Sequence, residues 1–169
     1  MSEENKATNN ETATNETDKE VKQIFHIQKI YTKNVSFESP NSPEIFLQEF
    51  KPELGVDLNI ESKNLEDGVY HVVVRVTATI KVEDTTAFLC EVEQAGIFAI
   101  SGFDDANLQY LLGVQCPNTL FPFAREAISD LVTKGGFPQL LLEPVNFDAM
   151  FANHMQQAQT AAESEGVKQ

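Results

Sequence analysis

The chain has no tryptophan, only two cysteines and three histidines, and 12 Lys plus Arg against 26 Asp plus Glu. Each shortage excludes something. Cys90 and Cys116 are too few for a disulfide scaffold, and with no apolar leader before them they read as reduced cytoplasmic thiols. His26, His71 and His154 stand far apart, and no C-x-x-C, H-x-x-x-H or EF-hand spacing is present, so no metal or other cofactor is expected. Nor is there a phosphate loop or a G-x-G-x-x-G turn. The deficit of cations leaves a formal net charge of −14, which repels nucleic acid and anionic membranes and favours basic partners. No apolar run is long enough to cross a bilayer, and "MSEENKATNNETATNETDKE" is polar where a signal peptide needs apolar residues. No membrane insertion is therefore expected.

What the chain does have is apolar surface without polar handles. Hydrophobic residues make up 41% of it, and 12 of them are phenylalanine. Residues 1–20 lack any large apolar side chain beyond the initial Met and read as a disordered acidic tail. Residues 21–157 read as one domain, and 158–169 as a flexible tail fraying from a helix.

Within that domain the apolar period is first two and then 3.6. "QIFHIQKIYTKNVSFES" reads as a long strand with Phe25, Ile27, Tyr31, Val35 and Phe37 on one face. Pro40, Pro43 and Pro52 break the next stretch into a crossover loop that carries Ile45, Phe46, Leu47 and Phe50. Val56, Leu58 and Ile60 alternate with polar residues in a second strand, and Asp67-Gly68 marks a tight turn. The third strand directs Tyr70, Val72, Val74, Val76, Ala78, Ile80 and Val82 one way. In the fourth, Phe88, Cys90 and Val92 oppose Leu89, Glu91 and Glu93. After Gly102 come helices. The first carries Leu108, Leu111 and Leu112 and stops before Pro117; Thr119 caps a second, with Pro122 in its first turn. Its stripe is Leu120, Ala124, Ala127, Ile128 and Leu131; Gly135-Gly136 ends it, and Asn146 caps a third. The expected fold is α+β: a four-stranded antiparallel sheet with helices packed on one face.

Chemistry is hard to find. A nucleophilic Cys116 needs a base, and no histidine stands in a local motif with it, so an inert thiol is favoured. Asp104-Asp105 resembles an acid pair, but it stands where a helix begins and suits the helix dipole. The chain is therefore not expected to be an enzyme. "KGGFPQLLLEPVNFDAMF" is a better lead, because loops run over surfaces and greasy loops often line binding grooves. Burial of Phe46, Phe50, Phe137, Leu140 and Leu142 as plain core is the competing account. A ligand carrier with an aromatic cavity, or an oligomer hiding these loops at its interfaces, are further alternatives.

Three stretches carry a resemblance. "IQKIYTKNVSFESPNSP", "TAFLCEVEQAGIFAI" and "CPNTLFPFAREAISDLVTKGGFPQLLLEPVNFDAMF" closely resemble the bacterial protein-export chaperone family SecB, over about residues 23–157. The resemblance implies an ATP-independent holdase of the bacterial cytosol that binds unfolded precursor proteins and passes them to the translocation ATPase SecA. It also implies a homotetramer, two edge-to-edge dimers stacked through helices. The implied client groove comprises Phe46, Phe50, Leu54, Val56, Leu58, Ile60, Phe137, Leu140 and Leu142. The implied contact for the basic, zinc-binding tail of SecA comprises Glu38, Leu89 and Glu91, with Asn34 where the family usually carries Asp. Cys90, Val92 and Gln94 match positions that support tetramer packing.

Overall fold

The computed structural model describes residues 22–166, so the tail expected over 1–20 lies outside the described residues. Four strands form first: β1 (Ile24–Glu38), β2 (Pro52–Glu66), β3 (Val69–Val82) and β4 (Thr85–Ser101). A 3-10 turn at Glu44–Leu47 lies in the crossover between β1 and β2. Helices follow: α1 (Asp105–Tyr110), a π turn at Leu111–Gln115, α2 (Cys116–Lys134) and α3 (Phe147–Gly166). Helix α3 thus continues past residue 157 into the segment expected as a tail.

The sheet is antiparallel throughout, in the order β1-β4-β3-β2. Alternation in β3 and β4 gives it an apolar inner face: Val72, Val74, Val76, Ala78, Phe88, Cys90, Val92 and Phe98 are all buried. Helix α2 lies on β4 and β3 and buries Leu120, Ala124, Ile128 and Val132 against them. This is the expected α+β arrangement. Gly68 supplies the left-handed residue (φ +69°) of the β2–β3 turn.

Two local expectations are corrected. Tyr31 does not share a face with Phe25, Ile27, Val35 and Phe37. The register shifts between Ile27 and Lys29 and again between Thr32 and Asn34. Each bulge inserts a residue and reverses the parity, so Ile30 turns inward and Tyr31 outward, where its hydroxyl meets His71 Nε2 at 2.8 Å. The second bulge restores the original parity for Val35 and Phe37. Nor does Pro117 end a helix or Thr119 cap one. Helical backbone runs on from α1 into α2, with Pro117 in the first turn of α2 and Pro122 inside it. The Cys116 amide reaches back to Leu111 O, one residue further than in an α-helix. This widened turn sits just before a proline that has no N–H to give. The Thr119 hydroxyl donates to Gln115 O within the helix.

The other helix signals read correctly. Asp104 Oδ1 accepts from the Asn107 amide at 2.8 Å, so this acid serves the start of α1. Asn146 Oδ1 accepts from the Ala149 amide at 2.9 Å and caps α3. Gly136, at φ +86°, ends α2.

Candidate functional site

Phenylalanines from four segments meet at the end of the sheet where the crossover passes. The Phe137 ring is the hub, with centroids 4.9 Å from Phe88, 5.0 Å from Phe46, 6.2 Å from Phe50 and 6.3 Å from Phe37. Such spacings suit tilted aromatic packing. The cluster is graded. Phe88 and Phe137 are 1% and 6% exposed and form a floor, while Phe46 and Phe50, at 49% and 37%, form a rim. Leu54, Ile80 and Phe88 fall on one row across the sheet, so the apolar strip of β2 begins beside this cluster. Leu54 and Val56 are each 47% exposed. Leu58 and Ile60 are half-buried and line a cleft of about 360 Å³ with Leu112, Gly113, Phe151 and His154. Gly113 is needed there, because a Cβ would run into the Phe151 ring.

The segment between α2 and α3 has no regular structure, yet it is strapped down. Gln139 Nε2 donates to Ser129 Oγ at 3.0 Å, and Arg125 Nη1 donates to Leu142 O at 3.5 Å. Leu140 is half-buried and Leu142 is in the core, while Leu141 between them is 64% exposed. The structure therefore brings Phe46, Phe50, Leu54, Phe137 and the start of β2 together around one open surface. It places Phe137 beneath that surface rather than on it, and buries Leu142 in the core. Leu141 was missed by sequence reasoning; two-residue alternation through this stretch, had it been read as extended, would have singled it out.

The outer face of the sheet is polar. Three rows cross it: Glu38–Leu89–Thr79–Gly55, Ser36–Glu91–Thr77–Asp57 and Asn34–Glu93–Arg75–Asn59. Asn34, Glu38, Leu89 and Glu91 thus occupy neighbouring rows of β1 and β4, with Leu89 and Glu91 half-buried. Glu91 Oε2 accepts from the Thr77 hydroxyl at 3.0 Å. Glu93 is nearly buried and is held by Arg75 Nε at 2.8 Å and by Lys33 Nζ at 3.3 Å. The Arg75 hydrogen bond holds the Glu93 carboxyl below the usual carboxylate range; burial opposes this and Lys33 adds to it.

Cys90, Val92 and Gln94 point the other way, into the core of the single chain. Gln94 Oε1 accepts from the Thr32 hydroxyl at 3.2 Å. Both cysteines are free and buried. Burial pushes the Cys90 thiol up to about 11 and the Cys116 thiol up to about 12, so neither supplies thiolate near neutral pH. Among the described residues no cluster of His, Cys, Asp and Glu could hold a metal ion, and no helix is long and apolar enough to cross a membrane.

Comparisons with known proteins agree with this geometry. The family described as "Preprotein translocase subunit SecB" matches residues 18–158. The "Protein-export protein SecB" of Hydrogenovibrio crunogenus is 74% identical over 132 residues, 78% of this chain and 89% of that protein. A Mycobacterium tuberculosis SecB-like chaperone, solved with a ChAD peptide of the HigA1 antitoxin, shares the fold at a TM-score of 0.61 and 16% identity. That alignment covers 72% of this chain and 91% of the other. With the family profile spanning nearly all of the described residues and a relative this similar, the chain belongs to the SecB family.

Proposed function

We propose that the protein is an ATP-independent holdase that keeps precursor proteins unfolded in the bacterial cytoplasm and hands them to SecA for export. The graded aromatic groove carries the reading. An apolar rim left half-exposed on a closed aromatic floor is costly in water unless a partner covers it. Phe46, Phe50, Leu54, Val56, Leu58 and Ile60 form the client-contacting surface, with Leu140 at its edge, Phe137 supporting it from below and Leu142 buried in the core. Unfolded chains share apolar side chains but no sequence, and phenyl and aliphatic surface without fixed polar partners suits that breadth. A homotetramer fits the exposed Phe25, Ile27 and Val35 on the inner side of edge strand β1, which gain from being covered. Cys90, Val92 and Gln94 serve assembly by fixing the sheet from inside the chain.

The test is refolding of a slow-folding secretory precursor. The wild-type protein should retard it without nucleotide. The double variant Leu54→Ser/Val56→Ser removes up to about 1.5–3 kcal/mol of apolar burial per site in the complex. Client binding should therefore weaken at least tenfold, while the urea midpoint moves little because both side chains are already half-exposed. A loss of stability with unchanged retardation would make these residues structural.

The second half of the reading is the handover. Glu38, Leu89, Glu91 and Asn34 dock the basic, zinc-binding tail of SecA on the outer face. Exposed ion pairs are worth less than about 1 kcal/mol each, so affinity comes from several contacts repeated over the assembly and weakens with salt. Titration of the zinc-loaded tail peptide at two ionic strengths should show binding abolished by Glu91→Lys. Client retardation should persist, because Glu91 lies on the face opposite the groove. Wild-type affinity in that variant would remove this face from the docking assignment.

A further inference from the structure

We infer that Glu93 is a further acidic contact of the docking face, shielded in the free protein by Lys33 and Arg75 acting as internal stand-ins for the partner's cations. The inference rests on the docking face proposed above. Glu93 is the direct cross-strand partner of Asn34, so it occupies the row in which the uncharged Asn34 provides no carboxylate. Its side chain is only 9% exposed, and the groups that hold its carboxylate are two cations. Lys33 is the looser of the two: it is 45% exposed and binds through one nitrogen at 3.3 Å. A lysine on a four-carbon stem exchanges partners easily. Arg75 is 36% exposed and is shared with Glu61 at 3.4 Å, so it too has somewhere to go. Each carboxylate oxygen of Glu93 is occupied in the free protein, Oε1 by Arg75 and Oε2 by Lys33. An incoming lysine or arginine can take over the Oε2 position when Lys33 swings outward, and the buried carboxylate never loses its counter-charge.

The arrangement predicts an order of effects that bulk charge does not. Glu61→Gln removes the same charge and one of the contacts of Arg75, which stays bound to Glu93, but Glu61 lies on β2, away from the β1–β4 rows that carry the contact. Glu93→Gln should weaken binding of the zinc-loaded SecA tail peptide by roughly fivefold, and Glu61→Gln by less than about twofold. Returning the acid to the partnered position with Asn34→Asp/Glu93→Gln should restore binding to within about twofold of wild type, because the charge has moved one strand across the same row. Two further variants avoid disturbing the buried carboxylate. Lys33→Gln should tighten the peptide by more than Lys29→Gln, an equal charge change in the row of Ile97. Equal losses for Glu93→Gln and Glu61→Gln, or equal gains for Lys33→Gln and Lys29→Gln, would overturn the assignment and leave only long-range charge. Glu91→Lys is titrated alongside. If it binds like wild type, the docking face itself is wrong, whereas a loss there with no effect of Glu93→Gln overturns the Glu93 contact alone.

Discussion

Val92→Asp should unfold the protein or leave it too unstable to assemble. Val92 is fully buried on the inner face, with Val35 and Val76 as its cross-strand neighbours. A carboxylate there lies in the core, between valines on both neighbouring strands and without a cation opposite it. Leaving a buried charge without a partner costs about 3–5 kcal/mol, a large fraction of the 5–15 kcal/mol that holds a typical domain together. The carboxyl can avoid part of the cost by staying protonated, which raises its folded pKa above the unfolded value. The variant should therefore gain stability relative to wild type as pH falls toward 4 and lose it as pH rises. Urea unfolding followed by circular dichroism at two pH values, with sedimentation of whatever remains folded, measures both. A cooperative transition at the wild-type midpoint, in an intact assembly, would mean that this side chain is not where the packing puts it.

Phe137→Ala should cost about 3–5 kcal/mol, the range for removing a buried phenyl ring. Phe137 touches Phe37, Phe46, Phe50 and Phe88, so the deletion opens a cavity at the point where β1, the crossover, β4 and the end of α2 converge. The loss should appear first as a lower urea midpoint and only secondarily as weaker client binding. Phe46→Ala is the contrast. Its ring is 49% exposed, so its stability cost should be much smaller and its effect should fall on the client. If Phe137→Ala shifts stability by less than about 1 kcal/mol, the ring is a contact surface and the floor-and-rim description fails. Together the two variants separate burial as core from exposure as binding surface, which composition alone left open.

The apolar periods by themselves determined most of the fold. The alternation of β3 from Val74 to Val82, and of β4 from Phe88 to Val92, buries one face when the two are adjacent strands, and the stripe from Leu120 to Ile128 covers that face as a helix. The acid-flanked Leu89 was legible for the same reason: a strand that buries Cys90 must turn Leu89 and Glu91 outward. The stretches of β1, of β4 and of α2 with the loop after it also carried the family resemblance that the comparisons then established.

What failed was local and had one kind of cause. Periodicity holds until the backbone inserts a residue, and the two bulges of β1 are fixed by its pairing with β4, which no window of β1 reveals; Tyr31 went to the wrong face as a result. Pro117 reads as a helix end because proline breaks isolated helices. Here the widened turn before it and the packing of Leu112, Val114 and Cys116 in the core carry the helical backbone through. The floor and rim of the groove were beyond the sequence altogether. Phe46, Phe50 and Phe137 are alike as residues, and only the approach of four distant segments decides which ring is covered by the others. The pairing of Glu93 with Lys33 and Arg75 is of the same kind: three charges up to 60 residues apart become one group only when β1, β4 and β3 lie side by side.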